Sequence, residues 1–192
     1  MSKASGEKKI GFISALVQEV AGINDVNSAK ISRAVEIVRD CIISKKKTLI
    51  FSNFNTVLKT QKQALTNAKI SCYEFNGTLT VESRQKNLKQ FKSSAVPCVL
   101  LANSQSASEG LTLTEASTVI FLNEWWNPSS NRQAEDRVNR IGQTEPVIIY
   151  NLRAINTIDE NLSRILESKI KLENIFLNML TKQVLDKTNV HI

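Results

Sequence analysis

Short apolar runs alternate with longer segments of helical periodicity along most of this chain. The runs have about four to six residues and predict five β-strands, at Thr48–Phe51, Ile70–Phe75, Pro97–Leu101, Thr118–Leu122 and Val147–Leu152. The segments between the first runs repeat apolar residues every three or four positions and predict helices over 28–44, 54–68 and 81–91. Strands that alternate with helices are typical of βαβ units, so the predicted fold class is α/β with a parallel sheet.

The two ends of the chain have patterns of their own. Residues 1–27 are predicted to be an N-terminal helical segment with one apolar face, made of Ile10, Ile13, Leu16, Val17 and Val20. Residues 28–154 contain all five predicted strands. Residues 155–192 are predicted to be a C-terminal helical extension, a long helix or a helix pair that ends near Leu185. Its apolar stripe either belongs to the core or docks against a missing domain.

Polar residues at the helix ends predict caps. Ser52 and Asn53 are expected to cap helix 54–68, and Thr80 to cap helix 81–91, because their side-chain oxygens can accept free backbone N–H groups. Thr157 and Glu160 have the spacing of a capping box at the start of the C-terminal extension.

The charged residues of these helices are expected to face solvent. On helix 28–44 they are Lys30, Arg33, Glu36 and Arg39, and on helix 81–91 and just beyond it they are Arg84, Lys86, Lys89 and Lys92. The run Lys45-Lys46-Lys47 is typical of a solvated face, but it also suits a position near a phosphate backbone.

Composition narrows the possible functions. The 192 residues suit one domain or one lobe of a larger enzyme, and the net charge of +7 favours polyanionic partners. The single histidine, His191, excludes a Ser-His-Asp triad and a multi-histidine metal site. The three cysteines have no CxxC spacing, which argues against a disulfide framework and a zinc site. No secretory signal and no apolar run long enough to span a membrane is visible, so the expected location is intracellular: cytoplasmic in a bacterium, archaeon or virus, nuclear in a eukaryote.

One predicted helix has the residues for phosphate chemistry. Gln133, Arg137 and Arg140 lie at helical spacing on one face, after Asn127 as a cap and Pro128 in the first turn. Two guanidinium groups and an amide that point the same way suit the spread negative charge of a transferring phosphoryl group. The alternative is that Asp136 pairs with Arg140 on a solvated helix, and this helix by itself does not decide between the two.

Neighbouring motifs favour the role in phosphate chemistry over the solvated ion pair. The stretch from Gln133 to Gln143, Gln-Ala-x-x-Arg-x-x-Arg-Ile-Gly-Gln, resembles motif VI of the Swi/Snf family of helicase-like ATPases, in helicase superfamily two. Four further elements resemble the same family in the same order: Leu49-Ile50-Phe51-Ser52 (motif IV), Asn76-Gly77 with Arg84 and Phe91, Gly110-Leu111-Thr112-Leu113 (end of motif V) and Trp125-Trp126-Asn127-Pro128. Together they cover residues 28–170.

The resemblance implies a fold and a reaction. It implies the second lobe of a RecA-like pair, a parallel sheet with helices on both faces, which closes on ATP held between two lobes. The N-terminal RecA-like lobe, with its Walker A and Walker B motifs, would hold the triphosphate and Mg²⁺. Arg137 and Arg140 would contact the γ-phosphate, with Gln133 and Gly110 beside them. No metal ligand is assigned to this chain.

The resemblance also implies contacts with double-stranded DNA. Ser52 and Asn53 from motif IV, Ser106, Ser108 and Thr112 from the motif V loop, and Trp126 match residues that grip one strand through its phosphates. Hydroxyl, amide and backbone N–H groups suit such sequence-independent contact. The alternative for Trp125 and Trp126 is simple packing.

Three positions depart from the family pattern. Ser106-Ala107-Ser108 replaces the usual Ala-Gly-Gly, and the two lost glycines limit how closely that backbone can approach a phosphate. Asn139 replaces a histidine of motif VI, and Asn76 replaces the aspartate before Gly77.

The chain has neither a G-x-x-x-x-G-K-[ST] loop nor an Asp-Glu-x-His box. We therefore expect it to hydrolyse no ATP by itself. Two hypotheses remain: the second lobe of a double-stranded-DNA translocase, or a stand-alone module that has lost the motor and binds nucleic acid or protein.

Overall fold

The structure is a computed structural model that describes residues 28–103, 113–123, 135–136, 138 and 142–188. The predicted N-terminal helical segment, residues 1–27, lies outside these residues. So do Asn127, Pro128 and the side chains of the predicted motif VI helix that were assigned to phosphate chemistry.

The described residues form four helices and five strands. The strands are β1 (Thr48–Ser52), β2 (Cys72–Phe75), β3 (Val99–Asn103), β4 (Thr118–Phe121) and β5 (Ile148–Asn151). The helices are α1 (Ala29–Ile43), α2 (Asn55–Asn67), α3 (Val81–Ser93) and α4 (Ile158–Thr188). Every strand that the pattern predicted is present, and so are the helices predicted over 28–44, 54–68, 81–91 and the C-terminal extension, with ends displaced by at most three residues. Of the predicted motif VI helix, the described residues Asp136 and Val138 lie in a turn.

All five strands run parallel in one sheet, in the order β2-β3-β1-β4-β5. β1 lies at the centre, where Phe51 pairs with Ala102 on one side and with Phe121 on the other. Neighbours in the sheet are therefore distant in sequence, as crossover connections require. The predicted parallel α/β sheet is confirmed.

Alternate residues of the three central strands, β1, β3 and β4, enter two separate cores. Ile50 packs beneath α1 and α2 in a first cluster, whereas Leu49 and Phe51 pack on the opposite face. Phe91 of α3 covers that opposite face, and the rings of Phe51 and Phe121 stack there with centroids 5.4 Å apart. Helices therefore cover both faces, as the resemblance implied, and we call the second group the α3 cluster.

The predicted caps have different outcomes. Thr80 is confirmed, because its hydroxyl accepts the Ser83 N–H at 3.2 Å. The prediction for α2 is wrong: Phe54 occupies the N-cap position and no side chain caps the helix. In α4, the Thr157 hydroxyl accepts the N–H of Asp159 at 3.2 Å, one residue earlier than a capping box requires.

The C-terminal extension is a single helix in the structure. Leu162 and Leu166 on its first turns are buried against Phe54, so α4 packs beside the end of β1. Along the described part of the chain, no helix combines the length and the apolar character needed to cross a membrane. The three cysteines are free thiols, as their spacing predicted.

Candidate functional site

Parallel strands all end at one edge of the sheet, and here that carboxyl edge is polar. Ser52 and Asn103 end β1 and β3, and Asn123 lies just beyond β4. Because sites in open α/β sheets form outside the carboxyl ends of strands, this edge is the candidate site. Segments 104–112 and 124–134, which hold most of the predicted site residues, continue in sequence from Asn103 and Asn123.

Ser52 joins two strands at this edge. It is fully buried, its hydroxyl donates to Oδ1 of Asn123 at 2.6 Å, and its oxygen accepts the Phe54 N–H at 3.1 Å. The hydroxyl is therefore engaged inside the protein, where it fixes the loop after β1 to the end of β4. Direct contact of this hydroxyl with DNA would require that bond to break.

Asn53 follows Ser52 in the loop after β1 and is half-buried. Its carbonyl accepts the amide of Asn103 at 3.2 Å, and the same amide donates to Oδ1 of Asn55 at 3.1 Å. In contrast, the side-chain nitrogens of Asn53 and Asn123 are buried and have no partner. A buried N–H group without an acceptor is costly, so both donors would gain from any acceptor oxygen that reaches them.

The turn after β2 shows what the asparagine at position 76 does. Asn76 is buried, and its Oδ1 accepts both the N–H and the hydroxyl of Thr78, at 3.0 and 2.5 Å. An aspartate would accept the same two bonds, so this departure from the family pattern preserves the turn. The Arg84 guanidinium lies 5.7 Å from the centre of the Phe75 ring, and its half-buried position contradicts the predicted solvent-facing one.

One residue each of motif V and motif VI can be placed in the hydrophobic core. Leu113 follows Thr112 in motif V, and Val138 follows Arg137 in motif VI. Both are fully buried in the α3 cluster, on the same face of the sheet. Their side chains fix one residue of each motif against one hydrophobic surface.

The predicted ligand-contacting residues outside the described ranges are Ser106, Ser108, Gly110, Thr112, Trp126, Gln133, Arg137 and Arg140. Ser52 and Asn53 are described, and the structure brings both to the carboxyl edge.

Gln143, the last residue of motif VI, has a structural role that its sequence context did not show. Its side-chain Nε2 donates to the backbone carbonyl of Ala116 at 2.8 Å. Its side-chain Oε1 accepts the backbone N–H of Glu145 at 3.2 Å. Gly142 before it has φ +105°, a conformation that side-chain-bearing residues rarely adopt. The end of motif VI is thereby fastened to the loop before β4, at the amino edge.

The burial of Lys30 contradicts the prediction that its side chain faces solvent. Lys30 is 4% exposed, and its ammonium group contacts the carboxylate of Asp159, which is 5% exposed, and donates to the Leu122 carbonyl at 3.0 Å. The same carboxylate accepts the Ala154 N–H at 2.9 Å. The pair ties α1, the end of β4 and the start of α4 together. Helical periodicity could not show this, because it depends on a partner more than a hundred residues away.

The lysine run lies at the amino edge, away from the candidate site. Lys47 donates to the carbonyls of Phe91 and Lys92 at the end of α3, both at 2.9 Å, which stabilises that helix end. Lys46 lies 3.8 Å from Glu145, and Lys45 is exposed. The run is therefore partly structural.

Burial raises the pKa of the Cys72 and Cys98 thiols, which makes them poor nucleophiles at neutral pH. Among the described residues, no group of three or more His, Cys, Asp and Glu side chains could hold a metal ion.

Comparison with known proteins agrees with this geometry. Residues 29–142 match the model of the helicase conserved C-terminal domain. The chain is 36% identical over 168 residues to an uncharacterized ATP-dependent helicase of Mycoplasma genitalium, a match that covers 85% of the chain and 16% of that protein. It is 33% identical over 174 residues to Protein CHROMATIN REMODELING 24 of Arabidopsis thaliana, covering 80% of the chain and 16% of that protein.

A solved structure has the same fold. The C-terminal part of the Fun30 ATPase domain superposes with a TM-score of 0.70 at 27% identity, over 73% of this chain and 45% of that one. The chain spans less than a fifth of the length of these two curated relatives. It belongs to the helicase conserved C-terminal domain family, as a second RecA-like lobe of the Swi/Snf type.

Proposed function

We propose that this chain is the second ATPase lobe of a double-stranded-DNA translocase, with Arg137 and Arg140 as arginine fingers. Gln133 and Gly110 would lie beside the same triphosphate. The observation that supports the proposal is the burial of Leu113 and Val138 in one cluster, since these two residues, one from motif V and one from motif VI, lie on the same face of the sheet.

The chemistry of this chain would be electrostatic. A guanidinium that reaches the γ-phosphate when two lobes close stabilises the charge of the transition state, on the order of 10³–10⁵ in rate. Closure would also couple hydrolysis to lobe movement, because it completes the site. The resemblance assigns Mg²⁺ and the phosphate-binding loop to the first lobe, and the chain alone would then be inactive.

The carboxyl edge would contact the DNA backbone. The unpartnered amide nitrogens of Asn53 and Asn123 are donors for phosphate oxygens, and Ser52 would hold their loop in place. Ser106, Ser108, Thr112 and Trp126 would extend this contact. Since duplex DNA and ATP are the proposed substrates, we place the protein inside the cell.

The test of the ATPase proposal is reconstitution. Mixing the chain with the first lobe of its parent protein should produce DNA-stimulated ATP hydrolysis. Arg137→Ala and Arg140→Ala should each lower kcat by about 10³-fold or more. Arg39→Ala on α1, exposed and under the other face of the sheet, is the matched control and should leave kcat unchanged. Full activity with both fingers replaced, or hydrolysis by the chain alone, would refute the proposal.

The DNA contact needs its own measurement. Anisotropy of a labelled 30-bp duplex should show weak binding that falls steeply between 50 and 200 mM salt, because phosphate contacts release counterions. Asn53→Ala should weaken binding, whereas Asn67→Ala at the other end of α2 should not. Retained DNA binding without restored hydrolysis would instead support the stand-alone binding module.

A further inference from the structure

Three apolar side chains on α4 face solvent along one line. Ile165, Leu172 and Ile175 are 50%, 66% and 51% exposed, and their spacing of seven and three residues puts them on one side of a helix. Leu162 and Leu166, on the adjoining side, are buried against Phe54. We call the three exposed residues the α4 stripe. Such a line of large apolar groups on a helix suits a second helix packed along it.

We propose that the partner of the α4 stripe is the N-terminal segment of this same chain, residues 10–20, packed antiparallel to α4. The pattern of this segment predicts a helix with Ile10, Ile13 and Val20 on its apolar face. Their spacing of three and then seven residues is the reverse of the spacing along the stripe. Antiparallel packing therefore sets Ile10 against Ile175, Ile13 against Leu172, and Val20 against Ile165.

At the centre of this proposed helix pair, the side chains are also complementary in size. Ser168 lies within the stripe, one turn before Leu172, where the same alignment sets Val17 against it. Its hydroxyl donates to the Arg164 carbonyl at 2.8 Å, so packing an apolar group there would leave no hydrogen bond unmade. A small residue opposite a branched one suits the alternation of knobs and holes between helices.

The buried Lys30–Asp159 pair holds the point where the N-terminal segment joins α1 beside the start of α4. From Asp159 to Ile165 the helix rises about 9 Å. Residues 21–28 can span up to ~27 Å, which covers that rise and the 8–10 Å between packed helix axes. Gly22 allows the chain to turn within this connection.

The tether favours this segment over a second copy of the chain. A short linker gives an effective concentration on the order of mM, which a free partner rarely reaches. A stripe of three side chains is also far smaller than the ~1,200–2,000 Å² that a stable interface between two proteins buries. This proposal does not depend on ATP or DNA, so it can fail while the proposed function stands.

Amide hydrogen exchange of the full chain tests the pairing. Peptides covering 163–176 should be protected, and Ile13→Asp should speed their exchange by at least about tenfold, because it sets a charge against Leu172. Gln18→Asp is the matched control: it adds the same charge to the opposite side of the predicted helix and should leave exchange unchanged. Peptides of β1 and β3 should keep their protection in both variants, which shows that the sheet remains folded.

A second substitution tests the alignment. Adding Leu172→Lys to Ile13→Asp should restore protection of 163–176 to within about threefold of the wild type, whereas Ile165→Lys should not. Equal exchange in the wild type and Ile13→Asp would overturn the proposal. So would a protection that depends on protein concentration and accompanies a dimeric mass, since the partner would then be a second copy.

Discussion

Removing the buried ion pair between Lys30 and Asp159 should strongly lower the stability of the fold, because the pair joins α1 to the start of α4. Both side chains are at least 95% buried, and the lysine also donates to the Leu122 carbonyl. Lys30→Met keeps most of the length of the side chain but removes the ammonium group. The Asp159 carboxylate then keeps the Ala154 N–H as its hydrogen-bond donor, and the Leu122 carbonyl loses its lysine partner.

Removing one partner of a buried ion pair costs about 3–5 kcal/mol, because the other charge stays buried and uncompensated. With a urea dependence of about 2 kcal/mol/M, the unfolding midpoint should fall by roughly 1.5–2.5 M. The assay is urea unfolding followed by circular dichroism. Arg33→Met removes an exposed cation paired with Glu36 on the same helix, and it should leave the midpoint within experimental error.

A double-mutant cycle separates the pair from the rest of the site. Lys30→Met with Asp159→Leu removes both charges, so its loss of stability should be at least about 2 kcal/mol smaller than the sum of the two single losses. A Lys30→Met midpoint within about 0.3 M of the wild type would refute the reasoning. It would mean that the lysine reaches solvent and does not join α1 to α4.

Three further predictions concern the helix α3 and the cysteine thiols. Thr80→Ala should lower the free energy of unfolding by about 1 kcal/mol, since it removes the cap of α3, and an unchanged urea midpoint would contradict this. Arg84→Ala should cost about 1 kcal/mol through the lost contact with a phenylalanine ring, whereas the exposed Lys86→Ala should cost nothing measurable in the same assay. Because burial raises the pKa of the Cys72 and Cys98 thiols, iodoacetamide at pH 7 should label them at least about tenfold more slowly in the folded chain than in urea. Their rates should rise as the pH approaches those raised values, and equal rates in both states would count against burial.

Local patterns predicted most of the secondary structure. β1, β3 and β4 are continuous apolar runs because each is covered on both faces, and this made them visible without any tertiary information. Thr80 was predicted correctly because its partner is three residues away. Ser52 was not, since its hydroxyl bonds to Asn123, 71 residues distant, instead of capping α2.

In the candidate site, too, some residues could be predicted from the sequence and others only from contacts. Motif order and spacing, compared with a known family, indicated Arg137, Arg140 and the DNA-contacting residues, and these remain proposals. The roles of Gln143 and Lys30 came from contacts, because a polar side chain in a helix or turn has the same local pattern whether it is solvated or buried. The sequence also could not explain why Asn76 replaces the aspartate of the family pattern. The structure explains it, because the Asn76 side chain accepts two hydrogen bonds from Thr78.

By itself, the sequence determined which segments are strands and helices and that the sheet is parallel, because periodicity and strand length are local properties. The tertiary structure decided the order β2-β3-β1-β4-β5, the burial of Lys30 beside Asp159, and the shared cluster of Leu113 and Val138. Each of these depends on groups that lie far apart along the chain and meet when the sheet assembles.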